Sequence, residues 1–231
     1  MSDKVWISDV SIDANKQGLR WKYPCEEWIP AKHELSVATQ DELNRRVRRY
    51  SAGYRLAEGD VPEAAAIWEP KCFAGTGDMF IVGTMYAVKP RLAEVLSRFD
   101  LGEGKLTPLK MYDADLVTPA PGEYWLLQLG ARKNSFLPES SNQEGHRISS
   151  MGVAKRSGPV FTEGVEYWQV TSLIQDGDVA VSPAALGGAD LWVEERVSKR
   201  LFMSGALAQA ISEANLKKVD FRLKQCCVVG G

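Results

Sequence analysis

The sequence predicts an α+β fold in which helices pack on a mixed β-sheet. Two observations carry this prediction. A strand–helix–strand pattern occurs twice, at about residues 79–112 and 201–224, which suggests a duplicated unit, and further β-rich apolar segments lie outside the two copies. At 231 residues and 45% hydrophobic composition, the chain can bury a core without disulfides or metals. We expect residues 76–231 to form the main domain and residues 1–75 an irregular N-terminal part, unless both form one continuous domain.

The N-terminal part carries signals for short strands and for one or two helices. Residues 5–7 and 19–23 have the composition and alternation of short strands. Thr39, followed by a glutamine and two acids, predicts the start of a helix that continues to about residue 50. A second short helix is predicted over residues 62–68, because a proline suits its first turn and alanines follow.

The first copy of the repeated pattern begins with MFIVGTMYAV (79–88), which predicts a strand, or a strand and a turn. Pro90 suits the first turn of a helix, and apolar residues between 92 and 99 lie on one helical face. The segment 105–113 then returns in extended form. Its Pro108 confines it to a sheet edge or a bulge, because proline has no N–H to donate.

The second copy follows the same plan. Ser204 predicts a helix N-cap, and apolar residues between 207 and 214 form the matching stripe. Val219, Phe221 and Leu223 alternate with charged residues, which predicts a half-buried return strand.

Between the two copies lie two further predicted strands and a loop. Residues 122–136 and 165–182 each contain the triplet Glu-Tyr-Trp before apolar residues and predict strands that enter the core. Residues 137–159 are polar and rich in glycine and serine, which predicts a long surface loop.

The chain carries no local motif for catalysis or for a cofactor. The two histidines, His33 and His146, and the four cysteines offer no ligand pair at the close spacing of a zinc site. The glycine-rich GTGD at 75–78 lacks the lysine and the following helix of a phosphate-binding loop, so it predicts a turn before a strand. We therefore expect a protein that is not an enzyme and that has no metal, cofactor or catalytic residues.

Charge and hydropathy narrow the function classes further. The formal net charge is −2, which favours neither a general nucleic-acid binder nor an acidic mimic of one. No apolar run reaches the length of a membrane span, and the N-terminus lacks a signal-peptide pattern. We expect a cytoplasmic protein whose four cysteines are reduced and which has no membrane partner.

One basic cluster stands out, formed by Arg45, Arg46, Arg48 and Arg49 on the first predicted helix. We expect a solvated face that pairs with nearby acids such as Asp41, Glu42 or Glu58. The alternative is a stripe that contacts phosphates.

Candidate partner-binding residues lie in two loop-like segments. Trp28 stands between charged residues and prolines, outside any periodic element, as aromatic anchors of interfaces often do. We take Trp28 with its neighbours Glu26 and Glu27 as one candidate group. Glu139 and Glu144, in the predicted surface loop, form the other.

Three segments resemble a known family when they are taken together. They are VKPRLAEVLSRFDL with the later KLTPLKMY, EYWLLQL with the later FLPESS, and LFMSGALAQAISEANLKKVDF. Their order and spacing over about residues 78–224 resemble the polymorphic-toxin immunity proteins grouped as immunity family eleven. The resemblance implies a bacterial immunity protein that binds and neutralises a cognate secreted toxin in contact-dependent or type VI-type competition. It implies no catalytic position.

Two alternatives stay open at this point. One is an enzyme of unrecognised class, with a site assembled from Asp78, Asp113, Asp115 or the cysteines. Such a site would show a deep pocket with carboxylates whose pKa values are shifted. The other is a nucleic-acid-binding accessory protein that uses the arginine-rich helix, although we expect nucleic acid to be an unlikely partner. A protein binder should instead present a flat patch that bears aromatic residues.

Overall fold

The computed structural model describes residues 3–10, 18–24, 26–29, 36–83, 85–153 and 162–230. In these ranges the helices are α1 (Val37–Ser51), α2 (Pro70–Phe73), α3 (Pro90–Leu96) and α4 (Gly205–Glu213). The first eight strands are β1 (Val5–Ser8), β2 (Leu19–Lys22), β3 (Ala64–Ile67), β4 (Met79–Val82), β5 (Met85–Val88), β6 (Lys105–Pro108), β7 (Lys110–Tyr112) and β8 (Trp125–Gln128). The others are β9 (Arg132–Lys133), β10 (Ile148–Val153), β11 (Glu166–Val170), β12 (Ala180–Val181), β13 (Leu191–Glu194), β14 (Leu201–Ser204), β15 (Lys224–Gln225) and β16 (Cys227–Val228).

The predicted α+β class with a mixed sheet is confirmed. A five-stranded sheet has the order β15-β1-β14-β13-β9, in which β13 pairs antiparallel with β14 and parallel with β9. A four-stranded antiparallel sheet has the order β4-β5-β8-β6, and a three-stranded sheet has the order β2-β3-β7. None of the helices in the described parts of the chain combines the length and the apolar character that crossing a membrane would require.

The same topology occurs twice in the two larger sheets. In one, the hairpin β4-β5 leads into α3 and the chain returns as β6; in the other, the hairpin β13-β14 leads into α4 and the chain returns as β15. In both, one further strand separates the entering strand from the returning strand: β8 in the first sheet and β1 in the second. Since β1 comes from the N-terminus, the two ends of the chain share one sheet.

Strand alternation divides the interior into two apolar clusters. Leu201 and Met203 of β14 face the larger cluster, with α3, α4 and the four-stranded sheet. Phe202 of β14 and Trp192 of β13 face a second cluster on the other side of the same sheet. Successive side chains of a strand point to opposite faces, so the five-stranded sheet is covered on both sides.

Local signals set the starts of both repeated helices as predicted. Pro90 occupies the first turn of α3, and the Ser204 hydroxyl accepts a hydrogen bond from the N–H of Leu207 at the start of α4. Residues 79–88 form the hairpin β4-β5. Pro108 ends β6, which lies at a sheet edge, where a strand tolerates a residue without an N–H donor.

The helix predicted over residues 62–68 is wrong, because Ala64–Ile67 forms strand β3. This strand lies in the middle of its sheet, antiparallel to β2 and parallel to β7. All four of its residues are buried. Hydrogen bonding on both sides and burial outweigh the helix propensity of three alanines, which is a preference of less than about 1 kcal/mol per residue.

Three other predictions require correction. Helix α1 begins earlier than predicted, with Ser36 as N-cap, whose hydroxyl accepts from the N–H of Thr39. The alternating residues 219–223 are not a strand, since only Lys224–Gln225 pairs with β1 and the backbone φ is positive at Arg222. The predicted loop 137–159 contains strand β10, which pairs with β11; its last residues, 154–159, lie outside the described residues.

Candidate protein-binding face

The small sheet β2-β3-β7 has one face in the core and one face outside it. Its register aligns Arg20, Ala66 and Tyr112 in one cross-strand row. Two positions along the strands, a second row consists of Lys22, Ala64 and Lys110. The intervening row, Trp21, Ala65 and Met111, points the other way and packs in the larger apolar cluster. Alternation along each strand therefore places three basic residues and a tyrosine on the outer face.

Two tryptophans complete this outer face. The guanidinium of Arg20 lies 3.6 Å from the ring centroid of Trp68, a close cation–π contact. The ring of Trp28 meets the ring of Tyr112 edge-on, with centroids 6.0 Å apart. The ammonium of Lys22 lies 5.9 Å from the Trp28 centroid. We call this set the aromatic face; it comprises Arg20, Lys22, Trp28, Trp68, Lys110 and Tyr112.

The aromatic face is held in place before any partner arrives. Ala64 and Ala66 have 1% and 0% of their surface exposed, although they point outward, so the larger side chains around them cover the middle of the sheet. Trp68 retains 42% exposure. The rings of this surface are thus ordered by contacts with each other and with cations.

Helix α1 fixes the segment that carries Trp28. Arg46 on α1 donates one hydrogen bond to Glu26 at 2.8 Å, and its guanidinium lies 3.8 Å from the ring centroid of Tyr23. The N–H of Ile29 donates to the carbonyl oxygen of Trp21 at 2.9 Å. Trp28 lies between these two attachments, so its position depends on both.

Arg45 and Arg46 pair with acids, as expected, but Arg46 is buried instead of solvated, and the acids differ in part from those expected. Arg45 and Arg46 both donate to Glu42 and to Asp60, and neither contacts Asp41 or Glu58 among the bonds of the described residues. Hydrogen bonds from Arg45 are the main cause that lowers the pKa of Glu42 to about 2. These two arginines are thus committed to carboxylates of their own chain.

The structure separates the two predicted candidate groups. Glu26 is bonded to Arg46 and serves the fold, whereas Glu27 is exposed beside Trp28 at the rim of the aromatic face. Glu139 and Glu144 are exposed on short helical turns, and the strands next to those turns pack into the second apolar cluster. The two groups therefore rest on different parts of the molecule.

Residues named for an enzymatic site do not converge in the described part of the chain. Asp78 accepts from the N–H of Lys217, and Asp115 caps its own turn, where donors from Thr118 and Val117 lower the pKa of the carboxyl. A hydrogen bond to Glu69 raises the pKa of Cys72, the opposite of what a nucleophilic thiol needs.

Burial likewise raises the pKa of the Cys226 thiol. Cys25 and His33 lie outside the described residues. Within the described ranges, no three histidine, cysteine, aspartate or glutamate side chains are grouped as a metal site would need.

Sequence reasoning selected Trp28 but missed Arg20, Trp68 and Tyr112. The alternation of Leu19-Arg20-Trp21-Lys22 did signal a strand with a charged outer face. Tyr112 could not be connected with Trp28, because the two are far apart in sequence and meet only through the parallel pairing of β7 with β3. Comparison of the sequence with protein-family models and with curated proteins finds no match in either case.

Proposed function

We propose that this protein is a bacterial immunity protein that binds and neutralises a cognate secreted protein toxin, acting in the cytoplasm of the cell that makes it. The family resemblance of residues 78–224 supports the class of function. The aromatic face is the observation that carries the proposal, because a surface patch that bears ordered aromatic residues is expected of a protein binder. Neutralisation by binding requires a complementary surface and no nucleophile.

The composition of the aromatic face matches that of energetic centres in protein interfaces. Tryptophan, tyrosine and arginine are the residues most enriched at such centres. Trp28 already packs against Tyr112, and Arg20 already packs against Trp68. Their rotamers are therefore restrained in the free protein, and binding loses less conformational entropy than it would with free side chains.

The charges of the face indicate the chemistry of the partner. Lys22 is paired with Glu63 at 2.7 Å, whereas Lys110 is exposed and has no ion pair with a described residue. Arg20 has an aromatic contact and no carboxylate partner among the described residues. We infer a partner surface in which acidic residues surround an apolar centre. A standard interface would bury roughly 800 Å² on each partner.

The test is co-expression with the secreted protein encoded beside the gene for this chain. The chain should restore growth of cells that express the toxin, and the two proteins should elute together from a sizing column. Trp68→Ala should weaken the complex by at least about tenfold, a typical loss at an interface centre. The matched control is Leu186→Ala, since Leu186 is 44% exposed, much as Trp68 is at 42%. Absence of rescue and of a complex would contradict the proposal.

The aromatic face also favours a second candidate, an accessory protein that binds single-stranded nucleic acid. Rings on a sheet surface beside three basic residues can stack bases and attract phosphates. This candidate predicts that oligodeoxythymidine binds with an affinity that falls steeply with salt. A toxin complex that persists at 0.5 M salt, with no oligonucleotide binding at 50 mM, would favour the immunity function.

A further inference from the structure

A cleft opens between the C-terminal end of α1 and the turn that joins β13 to β14. It consists of two adjoining cavities, of about 150 Å³ and about 280 Å³, which share Ser51 and Lys199 as lining residues. Val47, Ala52 and Val197 give the smaller cavity a mostly apolar wall. This cleft is separate from the aromatic face, and none of the proposed partner-binding residues lines it.

Two cations without counter-ions stand at the smaller cavity. Arg48 and Lys199 line it, both are exposed, and neither side chain has a hydrogen bond or an ion pair with any residue in the described ranges. The acids that line it are already engaged. Glu195 pairs with Arg132 at 3.4 Å. Glu194 is buried and accepts from the N–H of Ser135, from that serine's hydroxyl, and from the Trp192 indole.

Two more unpaired donors belong to Arg49, which follows Arg48 in the chain, and to Arg132, which pairs with Glu195. Arg132, bonded to Glu195, stacks 4.0 Å from the ring centroid of Tyr54, and Arg49 lies 5.6 Å from the same ring. The Nε atoms of both arginines are buried, and the described residues offer them no acceptor. The two acids of the lining are thus engaged with other partners, whereas the Arg48 and Lys199 side chains are free to contact an anionic group of a ligand.

Lys199 is held in a costly backbone conformation. Its φ is 56°, in the left-handed region that non-glycine residues avoid, which costs on the order of 1 kcal/mol or more. Neighbouring contacts fix it, since the N–H of Ser198 donates to the carbonyl oxygen of Trp168 at 3.0 Å.

We infer that this cleft binds a small carboxylic acid whose apolar group is about the size of a benzene ring. An apolar cavity of roughly 150 Å³ accommodates benzene, and the smaller cavity has this volume. The ring would fill the smaller cavity and pack against Val47, Ala52 and Val197. The carboxylate would lie between Arg48 and Lys199. The source can be a free aromatic acid or the C-terminal residue of a peptide, which share this chemistry.

The probes are phenylacetate, a tetrapeptide that ends in phenylalanine with a free carboxylate, and the same peptide as its amide. Binding is measured by chemical-shift titration of the full chain. We expect saturable binding of at least one of the two acids, with shifts confined to residues around 47–52 and 195–199, and weaker binding of the amide. Tighter binding of phenylacetate would identify a metabolite site, and tighter binding of the peptide would identify a C-terminus site. No saturation by either acid at 20 mM would overturn the inference.

Charge variants make the test specific. Arg48→Gln and Lys199→Gln should each weaken binding about fivefold or more, as expected for the loss of a charge-assisted contact. Lys199→Arg should retain most of the affinity. Arg98→Gln is the control, because Arg98 is an exposed cation just beyond α3, outside the lining of the cleft. Equal affinity of the Arg48→Gln and Lys199→Gln proteins and the unaltered chain would contradict the proposed site.

Discussion

Replacing Arg46 by methionine should destabilise the protein strongly for a single change on a helix surface. The Arg46 side chain is only 9% exposed and contacts three carboxylates: Glu26 at 2.8 Å, Glu42 at 3.1 Å and Asp60 at 3.2 Å. It also stacks on Tyr23. Methionine keeps much of the apolar contact with that ring but removes every ionic hydrogen bond.

The loss of unfolding free energy depends on how well water can hydrate the carboxylates that lose their hydrogen bonds to Arg46. Breaking a buried ion pair costs about 3–5 kcal/mol when the remaining charge stays buried. Here the side chains of Glu26 and Glu42 are 41% and 42% exposed, so water can replace the lost donors. Asp60, at 15%, keeps its bond to Arg45. We therefore expect a loss of about 2–3 kcal/mol, or roughly 5–10 °C in Tm for a chain of this size.

The assay is urea unfolding followed by circular dichroism, with Arg48→Met as the matched control. Arg48 lies on the same helix and has no ionic partner in the described parts of the chain, so its replacement should change the free energy of unfolding by less than about 0.5 kcal/mol. A loss below about 0.5 kcal/mol for Arg46→Met, or equal losses for both variants, would refute the view that Arg46 anchors the Trp28 segment to α1.

Three further outcomes follow from single contacts. Gly77→Ala should cost about 1–3 kcal/mol of unfolding free energy, because the new Cβ would overlap backbone carbonyls of the segment before β15. The control is Gly59→Ala, whose new Cβ would meet no atom within 4 Å and whose effect on stability should be near zero. Arg45 helps to keep the pKa of Glu42 near 2, below its unfolded value. The stability that Glu42 provides is therefore present above about pH 4.5 and is lost as the pH falls towards 2. In urea unfolding, the difference in stability between the unaltered chain and Glu42→Gln should shrink over that pH interval. Tyr50→Phe should cost about 1–3 kcal/mol in the same assay, because the buried hydroxyl bridges a carbonyl at 2.8 Å and an N–H at 3.0 Å.

Elements governed by local signals could be predicted from the sequence. Pro90 and Ser204 begin helices for reasons contained within one helical turn, and the apolar run at 79–88 folds as a hairpin. The alanines of β3 could not be predicted in this way. Their helix propensity is overcome by ladders to β2 and β7, which lie about 45 residues away on either side in sequence.

Two other differences have a similar origin. The alternation at 219–223 is typical of a strand, yet positive φ at Lys218 and Arg222 interrupts the extended conformation there. Strand β10 is mostly exposed because it lies at the edge of a two-stranded sheet, and it belongs to a stretch rich in glycine and serine, so the composition of that stretch predicted a loop. Neither the sheet-edge position nor the backbone reversal leaves a periodic signal in the sequence.

The candidate site shows the same limit. Trp28 stood out because a large aromatic residue in a charged loop is unusual, and that signal is local. Strand register brings Tyr112 and Lys22 to Trp28, and it places the pair of Arg20 and Trp68 beside them. That register depends on the whole small sheet. The sequence therefore predicted one member of the aromatic face and could not predict the face itself.

Hydrogen–deuterium exchange of the chain, alone and bound to the secreted protein encoded beside it, tests the central claim most directly. We predict that the partner slows exchange in residues 23–29, which include Trp28, and in the turn 113–118, next to Tyr112, and leaves residues 138–146 unchanged. Slower exchange at 138–146, around Glu139 and Glu144, with no change at the aromatic face, would contradict the claim that this face binds the partner.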